Sequence, residues 1–239
     1  MLSSFITGLT DLFFPLNCVL CGTYAPETRY QPLCRRCLTT IPYNDPPFCQ
    51  CCSRHLESVA TEALCRDCRE QPPAFDGAWV LTRYAPPMND LIHRFKFQNK
   101  TSLRKTFRLI TKNFQERCRI SLSADLLIPI PVHPVRLRER GYNQSALLAQ
   151  AVNELTGIPV LNGVLQRTLL TPPQRGLERK ERWTNIRGAF RIASSSGIKE
   201  KNIYIIDDLL TTGATASEAA RVLKEAGAAR VELLALSAA

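Results

Sequence analysis

Two sets of residues in this chain have the types and spacing that do chemistry. The first is an adjacent pair of carboxylates, Asp207 and Asp208. They follow the apolar run Ile203–Ile206 and lead into Leu209, Leu210, Thr211, Thr212, Gly213, Ala214 and Thr215. Residues 211–215 can aim successive backbone N–H groups and three hydroxyls at one anion. Gly213 lets the backbone come close, and the positive end of a following helix adds to the field. Carboxylates do not suit a phosphate at short range. They suit vicinal hydroxyls, or a divalent metal, held beside it. A sugar 5-phosphate with free 2- and 3-hydroxyls satisfies both halves. The plainer explanation is an acidic strand end before an ordinary helix cap. It leaves unexplained why carboxylates, hydroxyl loop and strand fall in register.

The second set is eight cysteines in four C-x-x-C pairs: Cys18/Cys21, Cys34/Cys37, Cys49/Cys52 and Cys65/Cys68. Two thiolates on such a knuckle hold one edge of a tetrahedron, and two knuckles close a structural zinc site. The gaps Gly22–Leu33 and Ser53–Leu64 are both twelve residues long. That equality predicts a duplicated unit, two zinc ribbons in tandem holding two structural Zn2+. A cross-braced arrangement, with the first pair sharing a metal with the third, remains open at this point. Cys51 is a spare candidate ligand, and His55 and Cys118 are expected to lie outside the metal sites. With every ligand position filled by protein, neither metal has an open site for catalysis.

The elements that position these residues follow from pattern. Strands are expected over Phe75–Tyr84, Leu126–Pro131, part of Ile158–Leu165, Ile203–Ile206 and Arg230–Leu236. Helices are expected over Met88–Phe97, Thr101–Arg119, Gln144–Leu155 and Ala216–Ala226. Asn143 caps the third of these and Gly157 ends it. Strands alternating with helices predict an α/β fold with a mostly parallel sheet, whose ligand site lies at the carboxyl ends of its strands. Pro129, Pro131 and Pro134 predict a stiff, extended exit from the second strand, so Arg136, Arg138 and Arg140 are expected on a loop. Guanidinium groups there would meet phosphate or pyrophosphate. The stretch Arg167–Arg191 has few apolar residues and is expected as a loop and helix over the site. The paired cysteines stop at Cys68, and Gln71-Pro72-Pro73 marks a boundary between domains 1–72 and 73–239.

The net charge is +10, which favours phosphate-rich partners and says nothing about fold. Arg104, Lys105, Arg108, Lys112 and Arg117 load the helix Thr101–Arg119 with charge, either as a solvated face or as a nucleic-acid face. The stretch Met1–Leu16 has apolar residues at helical spacing but no Lys or Arg before Arg29, so it lacks the basic start of a secretory signal. It is expected to be a short amphipathic helix packed on its own protein, with a membrane-surface role as the alternative. No run reaches the ~20 apolar residues needed to span a bilayer.

The stretch from Ile205 to Thr215 resembles the phosphoribosyl-pyrophosphate (PRPP) signature of the type I phosphoribosyltransferases. Tyr204 departs from it, standing where a small aliphatic residue is usual. Over nearly the whole chain the order of motifs resembles the ComF/GntX family. A cysteine module comes first, then Val132-His133-Pro134-x-Arg136-Leu137-Arg138-Glu139-Arg140-Gly141-Tyr142-Asn143-Gln144. Thr171-Pro172-Pro173-Gln174 with Glu181-Arg182 follows, and the PRPP loop closes the series. The resemblance implies a type I phosphoribosyltransferase-like domain behind a double zinc ribbon. It implies that Asp207 and Asp208 address the ribose hydroxyls and that residues 209–215 hold the 5-phosphate. Pro131–Arg136, with Val132 and His133, matches the pyrophosphate-side loop. Arg138 and Arg140 match the flexible loop, and 171–182 a family-specific cover. The catalytic set on this reading is Asp207, Asp208, Arg138 and Arg140, with Mg2+ accompanying PRPP. The process implied is natural transformation: handling of incoming single-stranded DNA in the cytoplasm, alongside other DNA-uptake proteins or at the inner face of the membrane. The alternative is an active phosphoribosyltransferase on a nucleobase or other small acceptor.

Overall fold

The computed structural model describes residues 16–29, 31–56, 63–171, 178–195 and 197–239. The expected helix over Met1–Leu16 therefore falls almost wholly outside the described residues. The strands are β1 (Gly77–Arg83), β2 (Leu126–Pro129), β3 (Leu165–Arg167), β4 (Phe190–Ile192), β5 (Asn202–Leu210) and β6 (Arg230–Ala238). The helices are α1 (Arg35–Thr39), α2 (Arg66–Glu70), α3 (Met88–Phe97), α4 (Leu103–Cys118), α5 (Pro134–Arg140), α6 (Gln144–Thr156), α7 (Arg179–Ile186) and α8 (Ala214–Glu225).

The main sheet has the order β1-β6-β5-β2, and all three of its pairings are parallel. A parallel bridge from Leu127 to Val160 extends it by a short fifth segment beyond β2. Alternation along the strands divides the apolar side chains between two faces. Val80, Ile128, Ile203, Ile205, Val231 and Leu233 pack with α8 and with Cys49, Cys52 and Cys68. Leu81, Leu127, Tyr204, Ile206, Leu234 and Leu236 pack with α3, α4, α6 and with Cys18, Cys34 and Cys37. The two cysteine clusters thus belong to the two faces of one sheet.

Helix positions follow the spacing of apolar residues. Met88, Leu91, Ile92 and Phe95 are the buried apolar residues of α3, and Leu103, Phe107, Ile110 and Phe114 those of α4. Asn143 caps α6 by accepting from the Ser145 N–H, and Gly157 ends it at φ 76°. Tyr204 is accommodated in the core, where its hydroxyl meets Trp79 and the backbone of Ser123.

The connector between the cysteine clusters closes the exposed edge of β1. Tyr43 bridges Thr82 in antiparallel fashion. The Asn44 N–H donates to the Leu81 carbonyl, and the buried Asn44 amide donates to the Val80 and Ser53 carbonyls at 3.1 and 2.6 Å. An edge strand offers unpaired N–H and C=O groups, and this segment satisfies them.

Candidate functional site

In each cysteine cluster the sulfurs lie within 4.8 Å of one another: Cys18, Cys21, Cys34 and Cys37 in one, Cys49, Cys52, Cys65 and Cys68 in the other. The pairing is tandem, and the cross-braced alternative is excluded. A tetrahedron built on Zn–S bonds near 2.3 Å has sulfur–sulfur edges of about 3.8 Å. The Cys21–Cys34 and Cys52–Cys65 sulfurs are 3.9 and 3.7 Å apart. The two sites share their backbone-to-sulfur bonds. The Cys34 N–H donates to the Cys18 sulfur at 3.4 Å, and the Cys65 N–H to the Cys49 sulfur at 3.3 Å. Gly22 at φ 73° corresponds to Ser53 at φ 57°. A serine tolerates that left-handed position here, where its hydroxyl accepts from the Val80 N–H on β1. Cys51, His55 and Cys118 belong to neither cluster, and His55 instead bonds the Asp45 carbonyl. These are two structural zinc sites.

The acidic pair is built differently from the sequence expectation. β5 does not stop at Ile206 but continues through Asp207 and Asp208 to Leu210, because β6 keeps pairing with it as far as Ala238. β2 ends opposite Ile206. Asp207 and Asp208 therefore sit on a strand with one free edge. Asp207 accepts from the Ser145 hydroxyl at 3.3 Å and from the Asp208 N–H at 2.9 Å. Burial and the neighbouring Asp208 carboxylate push its pKa up to about 7, against a smaller opposing effect of Lys96. Asp208 is 6% exposed and pairs with Lys96 Nζ at 2.7 Å. Burial alone would lower the lysine's pKa, but the Asp208 carboxylate holds it above its ordinary value.

Lys96 was not found from sequence. It lies in the last turn of α3, in a run that shows only helical periodicity, and nothing local links it to β5.

The hydroxyl loop forms as expected. Gly213 is the N-cap residue of α8 at φ 81°, where a side chain would be strained. The Ala214 N–H bonds the Thr212 hydroxyl at 3.4 Å. Among the described residues, no acceptor takes the N–H groups of Thr211, Thr212 or Gly213. Three consecutive donors thus lack a protein acceptor at the positive end of α8, two on half-buried residues and one on the buried Gly213. The second zinc ribbon walls this loop: Cys52, Arg54, Cys68 and Phe75 line one cleft with Leu210, Thr212 and Gly213.

The arginine segment corrects two expectations. Arg136, Arg138 and Arg140 lie on helix α5, not on a loop. Pro134 occupies the first turn, where its missing N–H costs nothing, and His133 caps the helix through Nδ1 at 3.2 Å from the Val135 N–H. Gly141 at φ 78° ends it. The proline read as a stiff exit is a helix start. The polar stretch 167–191 is also framed by β3 and β4, an antiparallel pair, and Leu165, Ile186, Ala189 and Phe190 are buried there. Its helix α7 is present as expected, while residues 172–177 lie outside the described residues.

This hairpin adds Arg167, which sequence reasoning also missed. Its guanidinium lies 5.8 Å over Phe190 and bonds the Thr171 hydroxyl at 2.6 Å. Burial lowers its pKa, and Asp207, Arg136 and Arg140 are all close enough to act on it. Asp207, Asp208 and their partner Lys96 thus share one electrostatic neighbourhood with Arg136, Arg140 and Arg167.

Four of the basic residues on α4 pair with carboxylates at the surface. Arg104 and Arg108 both reach Glu154, Lys112 reaches Glu116 and Arg117 reaches Asp45. Two aromatics that neighbour the arginines in sequence, Tyr142 and Trp183, are also committed. Tyr142 donates its hydroxyl to the Phe95 carbonyl, and Trp183 packs against the core.

No helix among the described residues is long and apolar enough to cross a membrane. Residues 9–69 match the double zinc ribbon domain family. Among solved structures, a Bacillus subtilis glutamine PRPP amidotransferase gives a TM-score of 0.33 at 22% identity, covering 48% of this chain and 22% of that one. A purine phosphoribosyltransferase from Pyrococcus horikoshii gives 0.32 at 14%, covering 56% and 82%. Likenesses this loose add no weight to the topology itself. The sequence relatives are much closer. "DNA utilization protein YhgH" of Escherichia coli K12 is 29% identical over 79% of this chain and 83% of its own. "Competence protein ComFC" of Bacillus subtilis is 26% identical over 90% and 91%. "Competence protein F" of Haemophilus influenzae is 31% identical over 94% of this chain and 98% of its own. With that match spanning both chains, and with the double zinc ribbon ahead of a parallel sheet, this chain belongs to the ComF/GntX family of competence-associated proteins.

Proposed function

We propose that this protein binds PRPP through the Asp207–Thr215 segment and acts on incoming single-stranded DNA in the cytoplasm during natural transformation. The observation that carries the first half is the row of unengaged N–H groups at Thr211, Thr212 and Gly213, set beside two carboxylates on one strand. The N–H groups and the α8 terminus suit the 5-phosphate. Asp207 and Asp208 suit the ribose hydroxyls. On this reading Val132, His133 and Arg136, with Arg138 and Arg140 of α5, neutralise pyrophosphate.

Among the described residues, no third carboxylate or histidine joins Asp207 and Asp208 as a metal site. Mg2+ on this reading comes in with PRPP, whose oxygens complete its shell. The names of the relatives supply the process. Domain 73–239 would bind the ligand, and the zinc module 1–72 would brace it. The pairing of α4's charges moves the nucleic-acid face away from that helix and towards α5.

Calorimetric titration of PRPP with Mg2+ tests the site. Asp207→Asn with Asp208→Asn keeps the shape and keeps an acceptor for Lys96. Losing a hydrogen bond to a charged group costs about 1.5–3 kcal/mol, so the double variant is expected to bind at least about tenfold more weakly. Unchanged affinity would sink the assignment. Pyrophosphate release on adding a base would extend the reading to an active transferase.

A further inference from the structure

We infer that Phe97 is a stacking platform for an unpaired base of single-stranded nucleic acid, placed at the mouth of the ribose-phosphate site. The inference rests on the nucleic-acid half of the function proposed above and names the surface that would carry it. Phe97 ends α3, next to the Lys96 that pairs with Asp208. The residue is 61% exposed, although α3 buries Met88, Leu91, Ile92 and Phe95. A solitary exposed aromatic needs no explanation, but this one is not solitary. The Arg140 guanidinium lies 5.2 Å from its centroid, and the His93 ring lies 5.0 Å away with planes at 45°.

Two further features select the occupant. Among the described residues, neither Arg138 nor Arg140 pairs with a carboxylate, and the side-chain bond of Arg140 goes to the neutral Gln144 at 3.2 Å. Both cations thus keep their charge for backbone phosphates, unlike those of α4. The ring offers a π surface that any base can cover, and an arginine stacked on it strengthens that arrangement. Bases in a duplex are already stacked on each other, so the matching ligand is a single strand. Tyr142 and Trp183 cannot serve, since one is bonded to Phe95 and the other is packed on the core.

Fluorescence anisotropy with a labelled thymidine 12-mer tests this, using wild type, Phe97→Ala and Phe97→Trp. A same-length abasic phosphodiester and a 12-bp duplex are the reference ligands. One stacked base corresponds to about a 5- to 150-fold change in affinity. Phe97→Ala is expected to lose that factor for the 12-mer and Phe97→Trp to restore it. Affinity for the abasic strand and the salt slope should be the same in all three proteins. Equal 12-mer binding by wild type and Phe97→Ala would overturn the platform and leave the DNA reading standing. An equal loss for the abasic strand or the duplex would overturn stacking as the cause. Absence of 12-mer binding by wild type at low salt would overturn both readings.

Discussion

Asp207→Asn is expected to stabilise the ligand-free protein at pH 8 by up to about 4 kcal/mol while weakening PRPP binding. Most point changes destabilise, so the sign is informative. The Asp207 carboxyl is raised to about 7 by burial and by Asp208, against about 3.9 in an unfolded chain. Below pH 4 both states carry the proton, and the folded state keeps the full benefit of the neutral acid. Between pH 4 and 7 the unfolded chain ionises while the folded one resists. Stability then falls by about 1.4 kcal/mol per pH unit, and the loss is complete above 7. Asparagine keeps an oxygen for the Ser145 hydroxyl and the Asp208 N–H but cannot ionise, so it removes this slope. Urea titrations of both proteins from pH 4 to 8 measure it. The curves should converge at the acid end and separate towards neutrality. Parallel curves would show that Asp207 is an ordinary solvated carboxylate. A carboxyl raised in this way, on a strand end beside backbone donors without a protein acceptor, is a pattern that clusters at functional sites.

Removing zinc should have the larger effect. The protein is expected to hold two Zn2+ per chain. Metal binding in small ribbons is coupled to folding with apparent energies of about 10–16 kcal/mol per site. The consequences extend beyond the ribbons, because Cys49, Cys52 and Cys68 pack with Phe75 and with Val80 of β1, and Cys18, Cys34 and Cys37 with Leu81 of the same strand. The connector that covers β1 hangs between them through Asn44 and Ser53. Chelation, or Cys49→Ser with Cys68→Ser, should therefore lower the thermal midpoint of the whole chain. It should also weaken PRPP binding, since the second ribbon walls the Thr212–Gly213 loop. Metal analysis, thermal melts and calorimetry read the three effects. A content of one zinc per chain, or an α/β domain that melts unchanged without metal, would contradict this account.

What the sequence made legible was local. Spacing placed both zinc sites, since a C-x-x-C knuckle and its repeat are written within a few residues. It placed α3 to its end residues and α6 to its caps, because apolar period, Asn143 and Gly157 are local signals. It failed where a residue's meaning depends on what comes next. Pro134 serves equally as an extended exit or as a helix start, and only the His133 cap and Gly141 decide for α5. β3 and β4 are three residues each and far apart in the chain, too short for alternation to register. Lys96, Arg167 and Phe97 reach the site through tertiary packing alone, and no motif announces them. Arg104, Arg108, Lys112 and Arg117 show the reverse: a basic stripe in sequence that folding pairs with Glu154, Glu116 and Asp45.

The central claim is that Asp207–Thr215 is a ribose-phosphate site, and a crystal structure with PRPP and Mg2+ tests it most directly. The account predicts the 5-phosphate against the N–H groups of Thr211, Thr212 and Gly213, and the 2- and 3-hydroxyls against Asp207 and Asp208. PRPP bound elsewhere, or no PRPP at this loop at millimolar concentration, would contradict it.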